Sequence, residues 1–470
     1  MPLYRRYTGA DIVDGSITTD DLASAVDASL VLADSAAQKA ANLTDLASAS
    51  SARTALGLGS AAVMTPTSIA ADAALTGTYA AIARRADLEA SLRVRQATLR
   101  TAVSGASVTA SAASAATGLA GGTDVLSITN TTTGAVSTKF RFSRAVPVQF
   151  DTNTFSNTAC VSSGIQTYKS ALDMLVEFDH GGATTMEVLF QSAGSAFSTR
   201  YWMDGQPINP TVLTPNITGG AYYYVTVVLP DAGWHRIGIE LGANARFRGV
   251  RRDSTATIAA PADPTGKRLI AIGDSYVAAT GAAARFDGFA TEAGRLLGIE
   301  VVSSGAGGTG YLQTAGGGNP YPKYRDRIAS DVTPLVTSDT SILVTGGQND
   351  LDQYALVGAE AALLFAALKT AAPSAKIGVL LPFVTSGDPG AGGYVAMREG
   401  IQAAAVAAGI TVVADPQAEG WITGTGYMGA LQHDGNADFL IYTDHAHPSA
   451  DGHKYYGLKL AAGLIHAALV

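Results

Sequence analysis

Four short stretches in the C-terminal half of the chain carry groups suited to acyl transfer. They are Gly273-Asp274-Ser275-Tyr276, Gly305-Ala306-Gly307-Gly308, Gly347-Gln348-Asn349-Asp350 and Asp444-His445-Ala446-His447. Ser275, after Gly273 and Asp274, offers a hydroxyl nucleophile at a strand-to-helix turn, where backbone N–H groups face an incoming oxyanion. Gly308 has no side chain, so its N–H can approach a substrate closely, and the Asn349 amide adds another donor. Asp444 and His447 are three residues apart, so one turn can present an imidazole base beside a carboxylate that sets its tautomer. Asp350 is expected to brace its loop rather than touch substrate. The inventory covers a nucleophile, a base, its orienting acid and an oxyanion hole made by the Ser275 N–H, the Gly308 N–H and Asn349.

A metal reading of the same region is weaker. His445, His447 and His453 with Asp444 lack a recognised ligand spacing, and that reading leaves Ser275, Gly308 and Asn349 without roles. The glycine-rich loop is no nucleotide cradle, since no Gly-Lys-Ser/Thr follows it. Neither a cofactor nor a metal is therefore expected. His433 and His466 read as structural, and His180 and His235 lie in a β-rich region without an evident partner.

These groups need a frame. From Arg268 onward, apolar strands at Leu269–Ile272, Ile299–Val302, Ile342–Val344, Ile377–Leu381 and Ile410–Val413 alternate with helical stretches near 285–298, 355–372, 394–408 and 450–468. Short apolar strands with crossovers predict a parallel sheet covered on both faces, with reactive groups at its C-terminal edge. Each motif follows a strand or precedes the last helix. Residues 123–262 instead read as an antiparallel β-sandwich, from runs such as Met174–Phe178 and His235–Leu241 punctuated by Gly, Pro, Asn and Asp. Tyr201, Trp202 and Tyr222–Tyr224 are candidates for a sugar-stacking surface, although core packing explains such residues more often.

The chain has 470 residues, enough for two or three domains. Its 52 glycines and 15 % charged residues describe a globular core diluted by small residues, and a net charge of −8 argues against nucleic-acid binding. The lone Cys160 excludes an intrachain disulfide and reads as a small buried hydrophobe. No run approaches 18 apolar residues, and the N-terminus lacks the apolar segment of a secretory signal, so neither a membrane span nor a leader is expected. Residues 1–80 hold too few large apolar side chains for a core of their own and read as elongated. Residues 81–122 read as a helical stalk, with Ile82, Leu88, Leu92 and Leu99, followed by a Ser/Ala/Gly linker.

The chain bears two resemblances. The order Ser275, Gly308, Asn349, then Asp444-x-x-His447 resembles the SGNH, or GDSL-type, hydrolase superfamily over residues 266–470. It implies a flavodoxin-like α/β/α fold with strand order 2-1-3-4-5, Ser275 as nucleophile, His447 as base and Asp444 as its orienter. Tyr276 departs from the usual leucine. Ser303 or Ser304 stands where an asparagine is common, which puts the bracing of that loop in question. A β-sandwich before such a domain is similar to carbohydrate esterases that remove acetyl groups. The sparse apolar character of the mouth loops, 310–322 and 385–394, fits a polar substrate with a small acyl group. Residues 42–62, from Asn42-Leu43-Thr44-Asp45-Leu46 to Gly59-Ser60-Ala61-Ala62, resemble a recurrent segment of bacteriophage tail fibres and minor tail proteins.

Together the resemblances imply a virion-borne esterase that deacetylates an envelope glycan of the host, attached to other tail proteins through its N-terminus, with a homotrimer as the expected assembly. The alternatives are a tail adhesin that binds glycan without hydrolysis, and a cellular lipase or thioesterase of the same superfamily.

Overall fold

The computed structural model describes residues 73–110, 119, 121–130, 135–149, 160–163, 173–191, 197–214, 222–242, 245–261, 266–315, 321–350, 353–383, 392–426 and 430–470. The expected tail-like segment at 42–62 and most of residues 1–80 lie outside them. The chain divides between Ile82 and Ala83, and the compact unit from Ala83 to Val470 holds both β regions and all four motifs.

The C-terminal half is a parallel sheet of β1 (Arg268–Gly273), β2 (Glu300–Gly305), β3 (Thr340–Thr345), β4 (Lys376–Leu380) and β5 (Thr411–Ala414). Its strand order is 2-1-3-4-5, all parallel, the flavodoxin-like arrangement. Alternation along β1 decides how the layers form. Leu269 and Ala271 pack into one core with Phe289, Leu296, Leu460 and Leu464, whereas Ile270 and Ile272 pack into another with Val357, Leu364, Met397 and Ile401. The first core is covered by α2 (Phe289–Leu297) and α5 (Ala450–His466), the second by α3 (Tyr354–Ala371) and α4 (Gly392–Ala407). Full burial of a side chain such as Leu269 or Ile270 contributes about 1.5–3 kcal/mol. Ser449 caps α5 by accepting the Gly452 N–H at 3.0 Å, and α2 ends at left-handed Gly298. Among the described helices α3 alone is long and apolar enough to cross a membrane, but Val357, Ala361, Leu364, Phe365 and Leu368 commit it to the sheet.

The preceding β region forms two large antiparallel sheets, beside a two-stranded one of Ile128–Asn130 and Ala135–Val136. One runs in the order Ser107–Ala110, Tyr222–Val228, Thr185–Gln191, Phe247–Arg252, Cys160–Ser163 and Val146–Gln149, with Thr123–Leu126 also paired to Phe247–Arg252. The other runs Gln206–Pro207, Thr199–Met203, His235–Leu241, Met174–Gly181 and Thr257–Ala259, with Arg141–Ser143 also on Met174–Gly181. Val176, Phe178, Ile237 and Ile239 of the second sheet share one core with Val188, Phe190, Val225 and Phe247 of the first. Alternate residues point inward, as a sandwich requires.

Two segments differ from the expected stalk and linker. In helix α1, Ala73–Thr98, Leu88 and Leu92 pack with Leu99 onto the core formed by α2 and α5. Gln96 donates to Glu292 and Lys459 pairs with Glu89, so this part of the helix is docked. Ser107–Ala110, which reads as linker by composition, pairs with Val225–Val228 as an edge strand. The aromatic candidates also find their places: Tyr201, Trp202 and Tyr223 are buried in or beside the sandwich core.

A buried ionic network joins sandwich and sheet. Glu240, wholly inaccessible, lies 2.9 Å from Arg144, 3.3 Å from Arg200 and 2.8 Å from Arg295 of α2. Burial alone would raise its pKa, but the three guanidinium groups outweigh it and hold the carboxyl far below the usual range.

Candidate active site

β1 ends at Gly273, and the chain turns at once through Asp274 and Ser275. Asp274 is buried and holds this turn. Its Oδ1 accepts the Tyr276 N–H at 2.9 Å, and its Oδ2 accepts the Tyr324 hydroxyl at 3.2 Å. Burial raises its pKa, against the hydrogen bonds from Tyr276, Tyr324 and the Gly347 N–H. The nucleophile turn is thus tied to the loop after β3.

Ser275, His447 and Asp444 form one chain of contacts. His447 Nε2 lies 2.7 Å from Ser275 Oγ, and its Nδ1 lies 2.6 Å from Asp444 Oδ2. An ionised carboxylate only accepts, so Nδ1 carries the proton and Nε2 is left to accept from the serine hydroxyl. Asp444 Oδ1 also accepts the Ala446 and His447 N–H groups, each at 3.0 Å. Partial burial would raise the Asp444 pKa, but these bonds and the imidazole prevail and lower it. The carboxylate therefore remains charged well into acid.

The glycine-rich loop sits beside the serine. A Cβ at Gly307 would lie 3.7 Å from the Ser275 Cβ, and Gly308 has a left-handed φ of 75° with Ala315 only 3.0 Å from where a Cβ would stand. Asn349 reaches this loop, its Nδ2 donating to the Thr309 carbonyl at 2.9 Å. That bond uses one of the two amide hydrogens, leaving the other for an oxyanion. Asp350 braces the segment as expected, accepting the N–H groups of Tyr311, Leu312 and Gln313 at 2.7–2.8 Å.

Three further residues support the site, and their partners are not evident from the sequence. Buried Arg327 donates to the Ser304 carbonyl at 2.9 Å and the Gly273 carbonyl at 2.8 Å, clamping the ends of β2 and β1. Ser304 Oγ donates to Asp331 at 2.5 Å, bracing the loop that lacks the common asparagine. The Tyr276 hydroxyl donates to the Ala446 carbonyl, and its ring meets His447 edge-on at 5.7 Å, so the departure from leucine links nucleophile turn to base loop. Chemical type alone hints at Tyr276, whereas Arg327 and Ser304 gain their roles from partners remote in sequence.

The remaining histidines separate clearly. His453 is buried, its Nδ1 accepting the Phe289 N–H at 3.2 Å and its Nε2 donating to the Thr280 carbonyl at 2.9 Å. Among the described residues no group of three or more His, Cys, Asp or Glu is placed to hold a metal. His235 does have partners, Asp204 at 2.7 Å and Asp231 at 3.0 Å, brought together by a turn that its local sequence does not reveal.

Burial holds the His453 pKa down at about 4, with the Thr280 bond opposing and the His447 charge assisting. Protonating Nδ1 would also turn two donors on each other at Phe289. Below the unfolded value of about 6.5, the unfolded chain takes a proton that the native state refuses, so stability falls as pH drops toward 4 by about 1.4 kcal/mol per unit. From this residue, urea unfolding at about pH 5 should show roughly 2 kcal/mol less stability than at neutral pH. His453→Gln should flatten that slope, and an unchanged slope would refute the assignment.

No protein-family model and no curated protein matches the sequence. Among solved structures, the chain is similar to an active-site mutant of a family two carbohydrate esterase from Clostridium thermocellum, at 16 % identity and TM-score 0.45, over 63 % of this chain and 91 % of that one. A salicylyl-acyltransferase from a tetracycline biosynthetic pathway gives 14 % identity and TM-score 0.49, over 68 % and 93 %. A protein described as lipolytic and of the G-D-S-L family, from Desulfitobacterium hafniense, gives 18 % identity and TM-score 0.30, over 42 % of this chain and all of that one. The fold itself rests on the strand order and register of β1 to β5.

Proposed function

We propose that the protein is a serine ester hydrolase of the SGNH type that removes small acyl groups, acetate above all, from a polysaccharide. The observation that carries this reading is the continuous Ser275–His447–Asp444 contact chain beside the Gly308 loop. His447 takes the Ser275 proton as Oγ attacks the ester carbonyl, and Asp444 stabilises the imidazolium that forms. The tetrahedral oxyanion is held by the Ser275 and Gly308 N–H groups and by the free hydrogen of Asn349. His447 then protonates the leaving sugar hydroxyl, and water repeats the cycle to release the acid.

Asn349→Ala should lower kcat by about 10²-fold with little change in KM, because the donor acts on charge that develops only in the transition state. Steady-state hydrolysis of p-nitrophenyl acetate reads this directly, and a pure KM effect would remove Asn349 from the oxyanion site. Acyl-chain length tests the substrate class. Preference for acetate over octanoate supports the deacetylase, whereas the reverse supports a lipase or thioesterase.

The proposed setting is a bacteriophage tail, acting on a host envelope glycan, with attachment and trimerisation through the N-terminal segment. It is supported by the resemblance of residues 42–62. Light scattering on the full chain tests the trimer, and acetate release from host envelope polysaccharide tests the substrate. Glycan binding without acetate release would favour the adhesin.

A further inference from the structure

A cleft of about 1150 Å³ opens between the second sandwich sheet and the parallel sheet. On its parallel-sheet side stand Arg268 and Glu300, the first residues of β1 and β2, and Asp339 just before β3. Ser275, Gly308 and Asn349 follow the opposite ends of the strands, about 20 Å away along a six-residue strand. The cleft is thus distinct from the candidate active site.

Trp234 stands in the sandwich wall of this cleft and is 62 % exposed, while the other two tryptophans, Trp202 and Trp421, are buried. Its indole lies against Gly181: a Cβ there would meet Cδ2, Cε2 and Cε3 at 2.7–3.1 Å. Three ring carbons at near-equal distance mean that the ring lies flat on the strand, one face seated and the other open. Exposing so large an apolar ring is costly unless something covers it.

The groups around it define what can cover it. On the sandwich wall Arg141 Nε pairs with Glu177 at 3.0 Å and Arg236 with Asp179 at 3.2 Å, and on the facing wall Arg268 pairs with Glu300 at 2.8 Å. His235, next to the tryptophan, has a carboxylate at each ring nitrogen, Asp204 and Asp231. These charges are already paired, so an ionic ligand would have to break pairs to enter. The same groups keep spare acceptor lone pairs and N–H donors, which suit hydroxyls that both donate and accept. A flat apolar platform ringed by compensated polar groups matches the C–H face and hydroxyl rim of a sugar.

We propose that Trp234 is the platform of a second glycan site, which takes an uncharged sugar chain and performs no chemistry. It would raise the local concentration of polymer at the enzyme, improving turnover of polysaccharide without affecting small esters.

The test uses the full chain carrying Ser275→Ala, which leaves sugar binding readable without hydrolysis, so failure here is separate from failure of the esterase reading. Cellohexaose, xylohexaose and maltohexaose are titrated while tryptophan emission is followed, with hexagalacturonate as the charged comparison. At least one uncharged hexasaccharide should give a saturable shift of the exposed tryptophan, and Trp234→Ala should remove that shift. By calorimetry, Trp234→Ala should weaken binding about tenfold or more, and Gly181→Ala, which lifts the indole, should also weaken it. With Ser275 intact, Trp234→Ala should hydrolyse p-nitrophenyl acetate within about twofold of the parent rate. The proposal is overturned by no saturable signal with any uncharged probe up to about 10 mM. Calorimetric affinity left unchanged by Trp234→Ala, or binding of hexagalacturonate alone, would overturn it as well.

Discussion

Replacing Ser275 with alanine should lower kcat for p-nitrophenyl acetate by about 10⁴-fold or more and leave the protein folded. The change removes the attacking oxygen and one contact, the 2.7 Å approach to His447 Nε2, from a half-buried position. The Arg327 and Asp274 bonds that shape the turn do not involve the serine side chain, so thermal unfolding should change little. Asp444→Asn should cost about as much, because an amide in place of the carboxylate favours the wrong imidazole tautomer. Residual wild-type turnover in purified Ser275→Ala protein would sink the assignment of nucleophile and mechanism together.

Glu240→Ala should destabilise the Ala83–Val470 unit by about 3–5 kcal/mol, the usual cost of stranding buried charge. Three guanidinium groups, Arg144, Arg200 and Arg295, converge on this one carboxylate, and all three are themselves nearly inaccessible. Arg144 retains Asp173, and Arg295 retains Glu292, so the loss falls hardest on the centre of the network. The folded pKa of Glu240 is depressed, so its contribution is in full force above the unfolded value of about 4.3 and fades as pH falls below it. Urea unfolding of parent and variant at neutral pH reads the effect. A difference under about 1 kcal/mol would mean that water or repacking satisfies the arginines.

The parallel sheet is legible in the sequence because each strand is a short apolar run buried on both faces, and Leu269–Ile272 states this in four letters. The spacing of Asp444 and His447 is legible for the same reason that it works, since three residues complete one turn. Tyr201 lies in the core, where aromatic residues of β runs most often pack, and Trp202, on the opposite face of its strand, is buried against Arg200 and Arg295. Other features depend on partners far along the chain. Ser107–Ala110 has no large apolar residue, and only the free edge of Tyr222–Val228 makes it a strand. Leu88 and Leu92 show a helical face but not which surface will receive it. Arg327 and Glu240 look like ordinary surface charges until folding surrounds them. Trp234 is inconspicuous for a related reason: it sits in a turn, outside the alternating runs that hold most of the sandwich aromatics.

Arg327 reaches its two acceptors through main-chain carbonyls, those of Gly273 and Ser304, which every residue type possesses. The two strand ends from which those loops spring are therefore clamped from beneath, by bonds that make no use of the side chains around the mouth above them. Recognition and chemistry are separable in such a molecule. Surface positions over the serine can then vary while the reacting atoms stay where they are.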